Sequence, residues 1–236
     1  MSTELLFRDD AYLREAEGRI VAADEAGLVL DRTLFYAQGG GQPGDRGRLV
    51  REDGGEIAIL DTVYGPDKRT ILHRVAPGTA LPAPGERVRL VLDWPLRHAR
   101  MRVHTALHLL SVALPYPVTG GAIGDGEGRL DFDIPDAGLD KEAVTARLRE
   151  MIAQDAAVTT RWISDEELLA NPGLVKTMSV KPPMGSGRVR LVAIEGLDLQ
   201  PCGGTHVNRT GEIGTATVTA IEKKGKQNRR VRLSLA

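Results

Sequence analysis

Two pairs of residues have the types and spacing for metal chemistry. The first is His104-Thr-Ala-Leu-His108. On a helix, residues four apart project from one face, one turn above the other, with Cβ atoms about 5–6 Å apart. Two imidazoles so placed can bind a single ion. The logic is that of zinc-binding HExxH helices, but the glutamate that serves those as general base is missing here. The second pair is Cys202-Gly-Gly-Thr-His206, where two glycines let the backbone turn tightly. Thiolate and imidazole are donors that suit zinc. A lone HxxxH is common on amphipathic helices that bind nothing, and a lone cysteine is usually a small buried hydrophobe. What singles these out is concentration: three of the five histidines and the only cysteine fall in the two motifs. The expectation is one zinc ion per chain, held by His104, His108, Cys202 and His206. Four protein donors close a tetrahedral site, the structural pattern, whereas catalytic sites keep a position open. Either one of the four does not ligate in the working state, or the ion becomes five-coordinate with substrate; the spacing leaves both open. His73 and His98 read as ordinary residues.

The elements that must position these residues follow from periodicity. Asp93 can cap a helix and Pro95 fits its first turn. From there LRHARMRVHTALHLLSVAL carries apolar residues at helical spacing, until Pro115 and Pro117 end it. A second helix is expected over 140–154, and a third from Ser164, where Ser164-x-x-Glu167 matches a capping box. Before residue 93 the chain reads as short strands (RIVAAD, LVLD, GRLVRED, EIAILDTVY, RTILHRV and RVRLVLDW) broken by Gly and Pro turns. Further strands are expected at 129–134, 157–163 and 187–194, near 213–222, and at 228–235. The expected class is α+β: a small N-terminal β-barrel or sandwich over 1–93, then a mixed domain over 94–236.

A glycine-rich segment, Phe35-Tyr36-Ala37-Gln38-Gly39-Gly40-Gly41-Gln42-Pro43-Gly44-Asp45, stands out in the first part. Consecutive glycines allow close backbone approach to a ligand or another domain. A flexible turn between strands reads equally well. It is neither a Walker A loop nor a strand-to-helix GxGxxG. Lys223, Lys224, Lys226, Arg229, Arg230 and Arg232 crowd near the C-terminus, and Arg97, Arg100 and Arg102 decorate the histidine helix. Such cations can hold phosphates, although a solvated basic face is the commoner case.

Bulk composition narrows the class. Charge is balanced (31 basic against 32 acidic residues), so any nucleic-acid site must be a local patch. One cysteine allows no intrachain disulfide and suits a reducing cytoplasm. No apolar stretch reaches a membrane span, and the N-terminus shows no signal-peptide core.

Taken in order and separation, HTALHLL (104–110), PCGGTHVNRTGEIG (201–214) and FYAQGGGQPGDRG (35–47) resemble the AlaX-type alanyl-tRNA editing proteins. Through them the chain resembles the editing domain of alanyl-tRNA synthetase and, more distantly, that of threonyl-tRNA synthetase. The resemblance covers nearly the whole chain. It implies a medium-length member, with a small β-barrel ahead of a zinc-containing editing domain. It implies hydrolysis in trans of the ester joining serine, or glycine, to tRNA(Ala). The family's zinc ligands fall on His104, His108, Cys202 and His206. Its serine-contacting threonine falls on Thr119, within VTGG, and its glycine-rich segment on Gly39, Gly40 and Gly41. No catalytic side chain emerges. The zinc would activate water, polarise the ester or only anchor substrate. An alanine site discriminates weakly against serine and glycine, so a second hydrolytic site has a purpose. Two alternatives remain: a zinc-stabilised RNA-binding module without turnover, and a zinc hydrolase acting on another ester.

Overall fold

A computed structural model describes residues 3–134, 138–178 and 187–236. The chain divides into two compact units, Met1–His98 and Ala99–Ala236. The architecture is α+β, rich in sheet, with three α-helices among the described residues. No helix among them is long and apolar enough to cross a membrane.

The first unit holds β1 (Glu4–Leu5), β2 (Glu15–Asp24), β3 (Gly27–Leu30), β4 (Arg32–Thr33), β5 (Gly47–Arg51), β6 (Glu56–Ile59), β7 (Asp61–Tyr64), β8 (Ile71–Arg74) and β9 (Arg87–Leu92). Seven of them form one sheet in the order β6-β5-β9-β2-β3-β8-β7. Its two edge strands, β6 and β7, are consecutive in sequence, so the sheet curls until they meet across Leu60. No ladder between them closes a barrel among the described residues. The segment EIAILDTVY reads as one strand by composition but forms two. Ile57 and Ile59 point inward, then the phase flips: Leu60 is exposed and Thr62 is buried. A one-residue slip exchanges the faces of a strand, and here it hands the chain from β5 to β8. The core, including Leu28, Leu30, Leu49 and Leu90, is mainly aliphatic, as scarce aromatics require.

The helix α1 (Trp94–Ala113) starts where Asp93 accepts a hydrogen bond from the Leu96 amide, 3.2 Å. Met101, Val103, Ala106, Leu109 and Leu110 are all fully buried. Most of α1 from Met101 to Ser111 is buried, so this stretch of the helix, polar residues included, lies in the interior of the second unit. Its arginines face protein. Arg97 is fully buried, bonding Asp45 through Nε (2.8 Å) and the Leu34 carbonyl (2.6 Å). Arg100 pairs with Asp125, 2.8 Å, and Arg102 donates to the carbonyls of Ile213 and Ala236.

After α1 come β10 (Val118–Ile123), β11 (Glu127–Asp133), α2 (Lys141–Ala153), β12 (Val158–Ser164), α3 (Asp165–Ala170), β13 (Arg188–Ile194), β14 (Asp198–Pro201), β15 (Ala216–Lys223) and β16 (Asn228–Leu235). They build a four-stranded sheet, β10-β11-β16-β15, and a three-stranded one, β12-β13-β14. α2 is capped by Asp140 and α3 by the Ser164–Glu167 capping box. The sheet meets α1 closely: a Cβ on Gly128 would lie 2.6 Å from a Val103 methyl. Strands β10 and β14 are additional to those read from sequence. VTGGAI is glycine-diluted, and DLQP is only four residues long.

Candidate metal centre

α1 presents His104 and His108 one turn apart, with ring centroids 5.2 Å from each other. β14 delivers the chain into Cys202, and the glycine turn brings His206 back over the same spot. The His206 ring lies 4.1 Å from that of His104 and 4.6 Å from that of His108. One ligand atom from each of the four residues falls within 4.8 Å of all the others. The three imidazoles are buried and Cys202 is partly so. His206 Nε2 is 3.3 Å and His104 Nε2 3.5 Å from the Cys202 Sγ. Three imidazole nitrogens and a thiolate, gathered out of water, form a donor set that fits a metal ion of borderline softness.

The surroundings orient the donors. The single hydroxyl hydrogen of Thr105 goes to the Met101 carbonyl, 3.0 Å, one turn back along α1. Its oxygen must therefore accept from His206 Nδ1, 3.1 Å. That fixes the proton of His206 on Nδ1 and leaves the Nε2 lone pair for an ion. His108 Nδ1 donates likewise to the buried carboxylate of Asp198, 3.1 Å. Arg190, buried on β13, holds the glycine turn by donating to the carbonyls of Cys202 (3.0 Å) and Gly204 (2.9 Å). The Gly204 amide then points at the Cys202 Sγ, 3.4 Å.

Electrostatics favour an anionic sulfur beside a cation. Burial opposes the Cys202 thiolate, but the charges of His104 and His206, with hydrogen bonds from His104 and His108, bring the thiol well below its ordinary range. Burial, then the His104 charge, push His206 well below its ordinary value, which disfavours its protonated form. Burial also works against a charged His108, yet Asp198 and Cys202 overcome it and raise that group to about 9. Asp198 falls to about 2: its burial is outweighed by His108, Lys176 and Gln200.

The remaining sequence candidates are placed as follows. Thr119 lies on β10 beside a bulge, where the ladder to β11 shifts register. Its hydroxyl donates to the Asp131 carbonyl, 3.1 Å, and accepts from the Asn228 amide, 2.8 Å. Gly39, Gly40 and Gly41 lie in the first unit. Gly39 and Gln42 bond each other in both directions (3.1 and 2.9 Å), and Gly40 and Gly41 take φ of 57° and 84°. Positive φ at both central residues makes this a tight primed turn, which glycine adopts without strain. Gly44 is required for another reason: a Cβ there would sit 2.0 Å from the Thr62 carbonyl oxygen. The C-terminal cations are partly spent on protein. Arg230 and Arg129 share Asp131, and Arg232 and Lys224 share Glu222. Thr105, Arg190, Asp198 and Gln200 were not singled out from sequence. A signal for two of them existed: in DLQPC, polar residues alternate with others on one strand face and lead into the cysteine.

Fold and site together define a class: an α+β protein whose buried three-histidine, one-cysteine centre is built by one helix and one glycine turn. Residues 189–232 match the second additional domain of threonyl and alanyl tRNA synthetases, and residues 7–96 match class II (A) tRNA synthetases. The chain is 35% identical to the alanyl-tRNA editing protein AlaX-M of Methanosarcina acetivorans, with 99% of each chain covered. It is also 35% identical to the AlaX-M of Saccharolobus solfataricus, covering 97% of each. An alanine–tRNA ligase of Solibacter usitatus is 36% identical over 87% of this chain and 24% of its own length. The chain belongs to the AlaX family of alanyl-tRNA editing proteins.

Proposed function

We propose that the chain is an aminoacyl-tRNA deacylase that works in trans, in the cytoplasm, hydrolysing the ester between a wrong amino acid and the terminal adenosine of tRNA(Ala). Serine is the first candidate and glycine the second. The observation that carries this is the four-donor cluster, on a chain resembling AlaX-M proteins over its full length. The proposed ion is zinc, one per chain, held by His104, His108, Cys202 and His206. When bound there, zinc supplies a Lewis acid at the ester.

The chain's own residues supply selection. Thr119 gives its one hydrogen to Asp131, so it can offer a ligand only a lone pair. That lone pair is proposed to accept the hydrogen bond of a seryl hydroxyl. An alanyl group offers the remaining Thr119 lone pair no hydrogen, which disfavours the correct product. Gly39, Gly40 and Gly41 are proposed as substrate-binding backbone: a Cβ on Gly40 would meet nothing within 4 Å, so the turn offers a ligand bare backbone.

A second reading is favoured by the closure of the donor set, since four protein ligands mark structural zinc. It describes an RNA-binding module that does not turn over. Incubation with Ser-tRNA(Ala), Gly-tRNA(Ala), Ala-tRNA(Ala) and an unrelated ester separates the readings. Release of serine with sparing of alanine supports editing. Binding without release supports the module, and cleavage of the unrelated ester points to a different hydrolase.

A further inference from the structure

We infer that Asp198, which lies outside the four-donor set, is the positioning residue that orients His108 and sets the metal affinity of the centre. The inference rests on the metal reading above.

The Asp198 side chain is completely buried. A carboxylate in that position is tolerated only when its oxygens are paired, and here three donors converge on it. Oδ2 accepts from His108 Nδ1 at 3.1 Å and from Gln200 Nε2 at 2.6 Å. Oδ1 accepts from Lys176 Nζ at 2.5 Å. The carboxylate cannot turn without breaking one of these, so its lone pair stays aimed at the imidazole. Gln200 also reaches the Ser111 hydroxyl, 3.4 Å, which donates to the His108 carbonyl, 2.8 Å. Asp198 is thus linked to His108 through the ring directly and through the helix backbone by way of Gln200 and Ser111.

Strand register explains how the residue arrives. Asp198 and Gln200 alternate on the same face of β14, opposite Ile194 and Val192 of β13. Lys176 comes from a separate segment, docked where the Val118 amide donates to its carbonyl, 3.0 Å. The outer arm of the network is therefore a side chain 29% exposed, and the inner arm a ligand on α1. Metal-bound histidines generally donate their second N–H to a carboxylate or carbonyl, which fixes the ring and raises its basicity. Among the described residues, the Thr105 hydroxyl takes that role for His206. Asp198 adds a full negative charge and is the stronger lever on the ion.

The test measures metal, not turnover. Zinc dissociation constants are obtained by chelator competition for the full chain, and absorption spectra are recorded with cobalt(II) in place of zinc. Asp198→Ala is expected to weaken zinc by about 10–100-fold and to shift the cobalt ligand-field bands. Asp198→Asn keeps an acceptor at His108 Nδ1 and should recover part of the affinity. Lys176→Met should weaken binding less than Asp198→Ala. A folded Asp198→Ala with wild-type affinity and wild-type bands overturns the inference and leaves the metal reading standing. If Asp198→Ala does not fold, Asp198→Asn decides: unchanged affinity and spectrum overturn the inference, and a loss supports it. A wild-type chain that takes up neither metal removes both.

Discussion

Each unit buries a histidine beneath apolar side chains, and the two are driven in opposite directions. His73, on β8, is fully buried between neutral partners. Its Nδ1 lies 3.0 Å from the Leu28 carbonyl and its Nε2 2.8 Å from the Thr33 hydroxyl. Burial lowers it to about 4. His108 is as deeply placed, but Asp198 and the Cys202 sulfur raise it to about 9 against the same burial. The difference lies in the partner. A carbonyl and a hydroxyl make a histidine part of the packing; a carboxylate and a thiolate make a place for positive charge. Arg97 and Asp45 extend the contrast. They too form a buried charged pair, but one set against the backbone carbonyls of Ala11 and Leu34.

The largest expected effect that probes this contrast is on stability. Arg97→Met strands Asp45 as a buried charge and should cost about 3–5 kcal/mol, read by denaturant unfolding. A loss under 1 kcal/mol would show that the pair is not held as described.

The second concerns His73. Its folded pKa, about 4, lies below the ordinary value of 6.5, so between those limits the unfolded chain binds the extra proton. Stability is fully present above pH 6.5 and is lost as pH falls towards 4. At about 1.36 kcal/mol per unit this amounts to about 3 kcal/mol. Unfolding of wild type and His73→Gln at pH 7 and pH 4.5 should show a flatter dependence in the variant. Identical slopes would mean that His73 does not stay neutral in the fold.

The third turns to selection. Thr119→Val keeps the shape and removes the hydroxyl. It should cost about 1–2 kcal/mol in kcat/KM for the seryl substrate and much less for the glycyl one. An unchanged ratio between the two would place serine recognition elsewhere.

A comparable effect, on stability alone, is expected at Gly40. At φ 57° with open space around its Cα, Gly40→Ala should cost only the left-handed strain, about 1–2 kcal/mol. Loss of activity in the folded variant would show that the turn contacts substrate. Full activity would make it a turn and nothing more.

The donor set was legible because its information is local. HxxxH on a helix and CxxxH across two glycines state their geometry in four residues each. α1 and α3 were legible through Asp93 and Ser164, whose capping chemistry is also local; α2 was read over 140–154, and its Asp140 cap emerged only in the structure. What orients the donors was not legible. Thr105 reads as a helix filler until His206 arrives from 101 residues away, and Asp198 bonds His108 across 90. Arg97 and Arg100 decorate the helix in a linear reading, but both side chains are buried and pair with Asp45 and Asp125. Leu60 shows the same limit: alternation marks a strand but not the residue at which its inward face changes.

The central claim joins the cluster to editing, and one measurement addresses it directly: release of amino acid from Ser-tRNA(Ala) and Ala-tRNA(Ala), with zinc content determined on the same preparations of wild type and Cys202→Ala. The account predicts about one zinc per wild-type chain, rapid loss of serine, retention of alanine, and neither zinc nor turnover in the variant. Undiminished serine release by metal-free chain, or by Cys202→Ala, would contradict it.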